Sequence, residues 1–376
     1  MTQKIKAVAM KPRRITAAKL AKLKDDPEAT AAIADLIYYT DSQPGIRREK
    51  AADGFRYFRG QKEISSPSTL TRIQKLAIPP AWDDVWICPQ ANGHLQATGI
   101  DARGRKQYRY HPRWNTLRNN TKFHHLLQFG NALPTLRQKL QHDLSLPGIP
   151  KEKLLASLVE IMQLTGIRVG NDAYEKIYGS FGLTTLKNRH VKRNGTRLTF
   201  SFKGKKGVYQ NVELKSRRLS GIIQKCLEIP GKELFQYLDE DGIRHNIDSG
   251  AVNQYIREAT GGHFTAKDFR TWQGTLQALS SFREQGCCED EKEVKKRVNT
   301  MLETVAQKLG NTTTVCRKYY VHPLLIELYS NGKLVKYLES EPQKIPESKA
   351  ETKLSPDETL LLSILEKGAA PIVLED

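Results

Sequence analysis

Arg189-His190-Val191-Lys192-Arg193-Asn194-Gly195-Thr196-Arg197-Leu198-Thr199-Phe200-Ser201-Phe202-Lys203-Gly204-Lys205-Lys206-Gly207-Val208-Tyr209-Gln210-Asn211-Val212-Glu213-Leu214 is the stretch that decides the fold class. Leu198, Phe200 and Phe202 recur with period two, which places them on one face of a strand. Asn194-Gly195 is a hairpin turn signal, and Lys203–Gly207 with its two glycines makes a second turn. The result is a three-stranded meander.

On both sides of the meander the apolar spacing is helical. Leu154, Leu155, Leu158, Val159 and Met162 form one stripe before it. After it, helices are expected at 251–259 and 265–283. Another is expected from Glu291 to Leu309, where Val294, Val298, Met301, Leu302, Val305 and Leu309 share a stripe that Gly310 ends. Upstream, 123–144 is helical in pattern, with Pro134 expected to kink or divide it. Residues 36–117 read differently. Phe55-Arg56-Tyr57-Phe58, Val85-Trp86-Ile87 and Gln107-Tyr108-Arg109-Tyr110 look like short strands between turns. The expected class is therefore α+β: a small β-rich domain at 36–117, a short hinge near 114–120, and a larger, mainly α domain at 118–338 that carries the meander. Residues 1–35 read as a basic extension, with some helix over 15–23. Residues 339–376 read as an acidic flexible tail, its linker at 339–355 followed by a short Leu-rich helix that Ser355-Pro356-Asp357-Glu358 would cap.

The chain has 376 residues, with 60 Lys+Arg against 41 Asp+Glu and a formal net charge of +19. From Glu339 onward there are nine acids and four bases, so that segment is −5 and the rest is +24. A body so basic favours a polyanionic partner, because each phosphate contact would release counterions. The tail contains none of the motifs described below, and removing it is expected to leave the chemistry intact. The five cysteines form no CxxC pair, which excludes a zinc ribbon and a dense disulfide framework. Their odd number, with no signal peptide in evidence, points to the reducing cytoplasm. No apolar run approaches the ~20 residues that a membrane helix needs.

Several chemistries lack their residues. There is no GxxxxGK[ST] phosphate loop, no HExxH, no GxSxG and no tight carboxylate cluster for a two-metal site. His124-His125 is an adjacent pair, and neighbours on a helix point to different faces, so no metal site is expected. Cations beside turns and helix ends remain. They are Arg168 in Thr165-Gly166-Ile167-Arg168-Val169-Gly170-Asn171, Lys205 at the hairpin tip, and Arg270 one turn inside a helix that Thr265 caps. Asn311 follows the helix-ending Gly310, and Tyr320 ends Cys316-Arg317-Lys318-Tyr319-Tyr320. Each alone has a plain structural role: a core ion pair for either arginine, a solvated turn for Lys205, a C-cap for Asn311, a half-buried core position for Tyr320. Chemistry follows only if they converge.

These residues sit in motifs that resemble the type IB DNA topoisomerases, in the compact branch of large DNA viruses and bacteria. The motifs run in order through Leu76-Ala77-Ile78-Pro79-Pro80-Ala81-Trp82, Val85-Trp86-Ile87-Cys88-Pro89, Gly93-His94-Leu95-Gln96-Ala97-Thr98-Gly99 and 101–111. They continue through Ile167–Asn171, Phe264–Trp272 and Leu309-Gly310-Asn311-Thr312, leading to Tyr320. The resemblance covers roughly 36–332. It implies a C-shaped clamp closing on duplex DNA and relaxation of supercoils by transient cleavage of one strand. It places the nucleophile that forms a 3′-phosphotyrosine bond at Tyr320, since the family's nine-residue spacing from the Asn311 position reaches it. The phosphate-holding arginines fall at Arg168 and Arg270, and the acid for the leaving 5′-oxygen at Lys205. Asn311 stands where the family most often has histidine, so a neutral amide donor replaces a charged one. Gln107, Tyr108 and Tyr110 match a strand that touches DNA, Tyr174 matches a phosphate-contacting tyrosine, and Lys267 matches a basic residue beside the second arginine. No ATP, no essential divalent metal, a monomer, and a place on the nucleoid in the cytoplasm are also implied.

Two other readings compete. Tyrosine recombinases share the Arg–Lys–Arg–Tyr layout, but they usually carry His-x-x-Arg where this chain has Lys267-Asp268-Phe269-Arg270. A catalytically dead DNA-binding protein is the other reading, and the presence of all the charged and nucleophilic positions argues against it.

Overall fold

The computed structural model describes residues 26–102, 104–288, 290–339 and 353–368, with short backbone segments at 13–15 and 372–374. The chain forms two compact units, 1–125 with 369–376 and 126–368. The first is the β-rich one and the second is mainly helical.

The first unit holds a six-stranded sheet in the spatial order Lys62–Glu63, Gly54–Arg59, Ile46–Ala51, Asp83–Ile87, Leu95–Ile100, Lys106–Tyr110. All its neighbours run antiparallel. One face is covered by the helix Pro67–Lys75, whose Ile73 packs with Ile46, Val85, Ile87 and Ala97. A second cluster joins Ala31, Ala34 and Leu36 to Trp114 and Leu117. Residues 26–35, expected to belong to a basic extension, are thus part of this unit. Asp26 caps the helix Pro27–Ile33, and that helix buries Ala31. A backbone pairing of Arg13–Ile15 with Ile372–Leu374 also belongs here. The helix expected over 15–23 lies largely outside the described residues.

No hinge interrupts 114–120. That stretch is part of one helix, Pro112–Ser145, because Trp114 and Leu117 are anchoring core residues. Pro134 does not divide this helix either.

In the second unit the meander forms as expected, from Val191–Asn194, Arg197–Lys203 and Tyr209–Lys215. Gly195 takes the left-handed conformation (φ 57°) that the first turn needs. Leu198, Phe200 and Phe202 are all buried. They face a core built by the helices Lys151–Thr165, Arg217–Glu228, Ser249–Thr260, Ala266–Gln285 and Glu291–Leu309.

The acidic tail is a different matter from its composition. The linker expected at 339–355 lies mostly outside the described residues, but the helix Pro356–Lys367 is a core element, not a flexible end. Its Leu361, Leu362, Ile364 and Leu365 are buried in the same cluster as Phe129 and Trp272. Glu358 sits 5% exposed and takes a two-pronged bond from Arg137 at 2.7 and 2.9 Å. It also accepts from Trp272 Nε1 at 3.1 Å and from the Ser355 amide at 2.8 Å. Burial alone would raise this carboxyl. The Arg137 fork and the Ser355 and Trp272 donors outweigh it and hold the pKa below the ordinary carboxylate range. Counting charge could not reveal this, because the partner lies 221 residues away.

Candidate active site

Five of the residues singled out in the sequence meet where three helix ends approach one another. Gly166 ends the helix Lys151–Thr165 in the left-handed region, and a methyl group there would lie 2.5 Å from Gln273 Oε1. The chain then runs extended through Ile167-Arg168-Val169. The Arg168 and Val169 carbonyls accept from Leu183 N (2.8 Å) and Thr184 N (2.7 Å). This pairing brings Gly182 so close that an added methyl would stand 2.5 Å from Gly170 N. Arg168 is thereby fixed on a short backbone ladder.

Arg270 lies in the helix Ala266–Gln285, which Thr265 and Asp268 cap reciprocally. The side chain is 4% exposed. Its guanidinium donates to the Gly166 carbonyl and, at 2.7 Å, to the Leu309 carbonyl. Arg168 donates to the Gly310 carbonyl (3.3 Å) and to Asn311 Oδ1 (2.7 Å). The carbonyls at the C-terminal ends of two helices have no partners within their own helices and carry partial negative charge. Those ends hold both arginines here, which offsets part of the cost of burying two like charges side by side. Burial and the neighbouring Arg270 charge still lower the Arg168 pKa to about 10.

Gly310 closes the helix Glu291–Leu309 with φ 57°, and Thr312 caps the next helix, Thr313–Tyr319. Tyr320 follows directly. Its amide bonds Cys316 O (2.9 Å), and its carbonyl accepts from Thr275 Oγ1 (3.1 Å). A methyl on Gly274 would stand 2.7 Å from the Tyr320 carbonyl oxygen, so the tyrosine backbone lies flush on the Arg270 helix. Neither Gly274 nor Thr275 stands out in the sequence, and a glycine inside a helical stripe was the one signal of this contact. The Arg270 guanidinium lies 5.2 Å from the Tyr320 ring centroid. Tyr319 instead is 38% exposed, with Lys318 over its ring. Cys316, fully buried beneath the arginines, has its thiol raised to about 11 by burial.

Lys205 sits in the tight turn Lys205–Gly207, its ammonium 5.9 Å from the Tyr174 ring. Desolvation at the tip, then the positive charges of Arg168, Lys206 and Lys267, push its pKa below that of an ordinary lysine. Lys267 is exposed on the first turn of the Arg270 helix, and Tyr174 is 47% exposed on the helix Asp172–Tyr178. Among the described residues no carboxylate pairs with Arg168, Lys205, Lys267 or Arg270. Among the described residues Arg270 Nε and Asn311 Nδ2 are buried donors without a partner. A cluster of like charges without counterions, holding unmet donors, is arranged to receive an anion.

The other three expected residues belong to the first unit. Tyr108, 48% exposed, stacks on Tyr110 with ring centroids 6.0 Å apart. Gln107 is tied to Asp101 Oδ2 (3.0 Å). Two neighbouring cations on this strand are already committed. Lys106 pairs with Asp41, and Arg109 lies against Trp82 and bonds Ala77 O at 2.9 Å.

A tyrosine beneath a buried arginine, with a second arginine and a hairpin lysine near it, makes one cationic cluster around a hydroxyl-bearing ring. The family model described as the catalytic core of eukaryotic DNA topoisomerase I matches residues 111–344, more than half of the chain. The model of the bacterial DNA topoisomerase IB N-terminal domain matches 54–101. DNA topoisomerase 1B of Acanthamoeba polyphaga mimivirus is 34% identical over 297 residues, 77% of this chain and 88% of the viral protein. DNA topoisomerase 1B of vaccinia virus is 23% identical over 264 residues (68% and 80%), and DNA topoisomerase 1 of rabbit fibroma virus is 23% identical over 283 (71% and 85%). The chain belongs to the type IB DNA topoisomerases, isomerases that relax DNA by cutting and rejoining one strand. The recombinase reading is not favoured by these matches.

Proposed function

We propose that Tyr320 is the nucleophile of this topoisomerase, that Arg168 and Arg270 hold the scissile phosphate, and that Lys205 is the acid for the leaving strand. The observation that carries this is the gathering of three cations around one tyrosine with no carboxylate to neutralise them among the described residues. The Tyr320 hydroxyl oxygen attacks phosphorus, its proton leaving to water. The P–O5′ bond breaks, the 5′-oxygen takes a proton from Lys205, and a 3′-phosphotyrosine remains. Rejoining is the same exchange in reverse. One phosphoester replaces another, so the step needs no ATP. Guanidinium forks supply the charge that would otherwise fall to a metal ion. The lowering of the Lys205 pKa by burial and neighbouring cations suits an acid that must release its proton in the transition state. Asn311 Nδ2, now unpartnered, donates one neutral bond to a phosphoryl oxygen.

The partner is duplex DNA, held largely through its backbone by the +24 body. Tyr108 and Tyr110 are the strand contacts, with Gln107 released from Asp101 or bonding beside it. Tyr174 and Lys267 flank the phosphate. The enzyme works as a monomer on the nucleoid in the cytoplasm. No described helix is long and apolar enough to cross a membrane.

Supercoiled plasmid of either sign is therefore expected to relax in EDTA without ATP. Supercoils that persist in EDTA and relax only with added magnesium would show that the protein's own cations are insufficient.

The pH dependence separates the acid from the clamp. Single-turnover cleavage of a 5′-oxygen substrate is expected to fall as pH rises through the Lys205 pKa, because the deprotonated amine has nothing to give. That fall begins below the ordinary lysine range. With a 5′-bridging sulfur the leaving thiolate needs no proton, so the alkaline fall disappears and Lys205→Ala regains most of its rate. Equal slowing of Lys205→Ala on both substrates would remove Lys205 from the acid's role.

A further inference from the structure

Gln210 is the residue at which the Lys205 turn meets the Asn311 shoulder. It is the second residue of the strand Tyr209–Lys215 and pairs in register with Phe202 across the hairpin. Its stem closes over the turn. A methyl group on Gly204 would stand 3.1 Å from Gln210 Cγ, and Gly204 is bonded to Val208 O at 2.8 Å. Its carboxamide reaches the end of another element altogether. A methyl group on Gly310 would fall 2.5 Å from Gln210 Nε2 and 2.7 Å from Oε1, so the amide lies directly on the face of Gly310 that lacks a side chain. Gly310 is also where Arg168 donates, and it precedes Asn311. Among the described residues the one bond of the Gln210 amide is a long 3.5 Å contact with the adjacent Tyr209 carbonyl. A polar group held this loosely contributes little to stability through hydrogen bonding. Its placement must instead be read from what it separates and joins.

The two joined pieces are the general-acid turn and the arginine-bearing shoulder. No residue of Lys205–Gly207 is buried, so the turn has little packing of its own to hold the lysine in place. An acid on such a loop works only if its nitrogen is held within hydrogen-bond reach of the departing oxygen, and a misplacement of about 1 Å can cost a factor of about 100. We propose that Gln210 is a positioning residue for Lys205: its side chain wedges between Gly204 and Gly310 and sets the distance of the lysine ammonium from the phosphate held by Arg168 and Arg270. The proposal rests on Lys205 being the acid. It assigns the glycine at 310 a second purpose beyond ending a helix, which is to leave room for the amide.

The test is single-turnover cleavage by full-length Gln210→Ala and Gln210→Met, with Lys205→Ala alongside, on 5′-oxygen and 5′-bridging-sulfur duplexes. Gln210→Met keeps the stem over Gly204 and removes the carboxamide at Gly310. Gln210→Ala is expected to be slowed about 10-fold or more on oxygen and to come within about 2-fold of the parent on sulfur, and Gln210→Met, which keeps most of the wedge, to be slowed less than Gln210→Ala on oxygen. A residue that merely supports the fold, or one that holds the phosphate, would slow both substrates alike. Equal slowing on both, or no slowing on oxygen, overturns the positioning role. If Lys205→Ala itself is not rescued by sulfur, the acid assignment fails first, and that result is distinct from rescue of Lys205→Ala without rescue of Gln210→Ala.

Discussion

Tyr320→Phe is expected to abolish covalent protein–DNA adducts and supercoil relaxation, by a factor on the order of 10⁶ in cleavage rate, the scale at which a covalent nucleophile acts. The substitution removes one oxygen. The ring stays beneath Arg270, and the main chain keeps its bonds to Cys316 and Thr275. Thermal stability and non-covalent DNA affinity should therefore stay close to those of the parent. Tyr319→Phe should leave adduct formation near its full rate, because that ring is exposed beneath Lys318, whereas Arg270 lies over the Tyr320 ring. Loss of adducts in Tyr319→Phe, with Tyr320→Phe active, would transfer the nucleophile to the neighbour.

Removal of residues 353–376 is expected to unfold the helical unit, where composition alone suggested a dispensable acidic end. The deletion takes away the helix Pro356–Lys367 and with it four buried side chains, Leu361, Leu362, Ile364 and Leu365. At roughly 1.5–3 kcal/mol each, they represent about 6–12 kcal/mol, against a typical total stability of about 5–15 kcal/mol. It also leaves Arg137, 9% exposed, without the carboxylate that neutralises it. Breaking such a pair on one side costs about 3–5 kcal/mol. Trp272 and Arg283, which bond Glu358 and Asp357, lie on the same helix as Arg270, so the loss reaches the site directly. Glu358→Gln is the milder version and should lower the melting temperature by roughly 6–20 °C. Because the Glu358 pKa is depressed in the folded protein, its contribution is present above the ordinary carboxylate pKa. It is lost as pH falls through the folded value. A truncation that melts like the parent and relaxes plasmid would show that the helix is dispensable after all.

The two outcomes mark what the sequence could and could not disclose. The meander was legible because its signals are local: period-two apolar residues and an Asn-Gly turn. The ending of a helix at Gly310 was legible for the same reason. So was the candidate set of cations, because they flank helix ends and turns. Their convergence was not legible from the residues. Arg270 is held by the carbonyls of Gly166 and Leu309, which are 104 and 39 residues away. Gln210 escaped notice because strand position predicts only a half-buried polar side chain. The hinge expected near 114–120 failed because polar residues there mask two anchors, Trp114 and Leu117, that keep the helix continuous. The structural role of the tail does not show in its composition, because net charge is a sum and Glu358 is a single buried partner within it.

The central claim is that Tyr320 becomes joined to the 3′-phosphate of a cut strand. A nicked suicide duplex, whose short 5′-hydroxyl fragment diffuses away after cleavage, traps that species, and peptide mapping locates the modified residue. One adduct is expected, on the peptide containing Tyr320, linked to a 3′-phosphate, formed in EDTA and absent in Tyr320→Phe. An adduct on any other residue, or one linked through a 5′-phosphate, would contradict it.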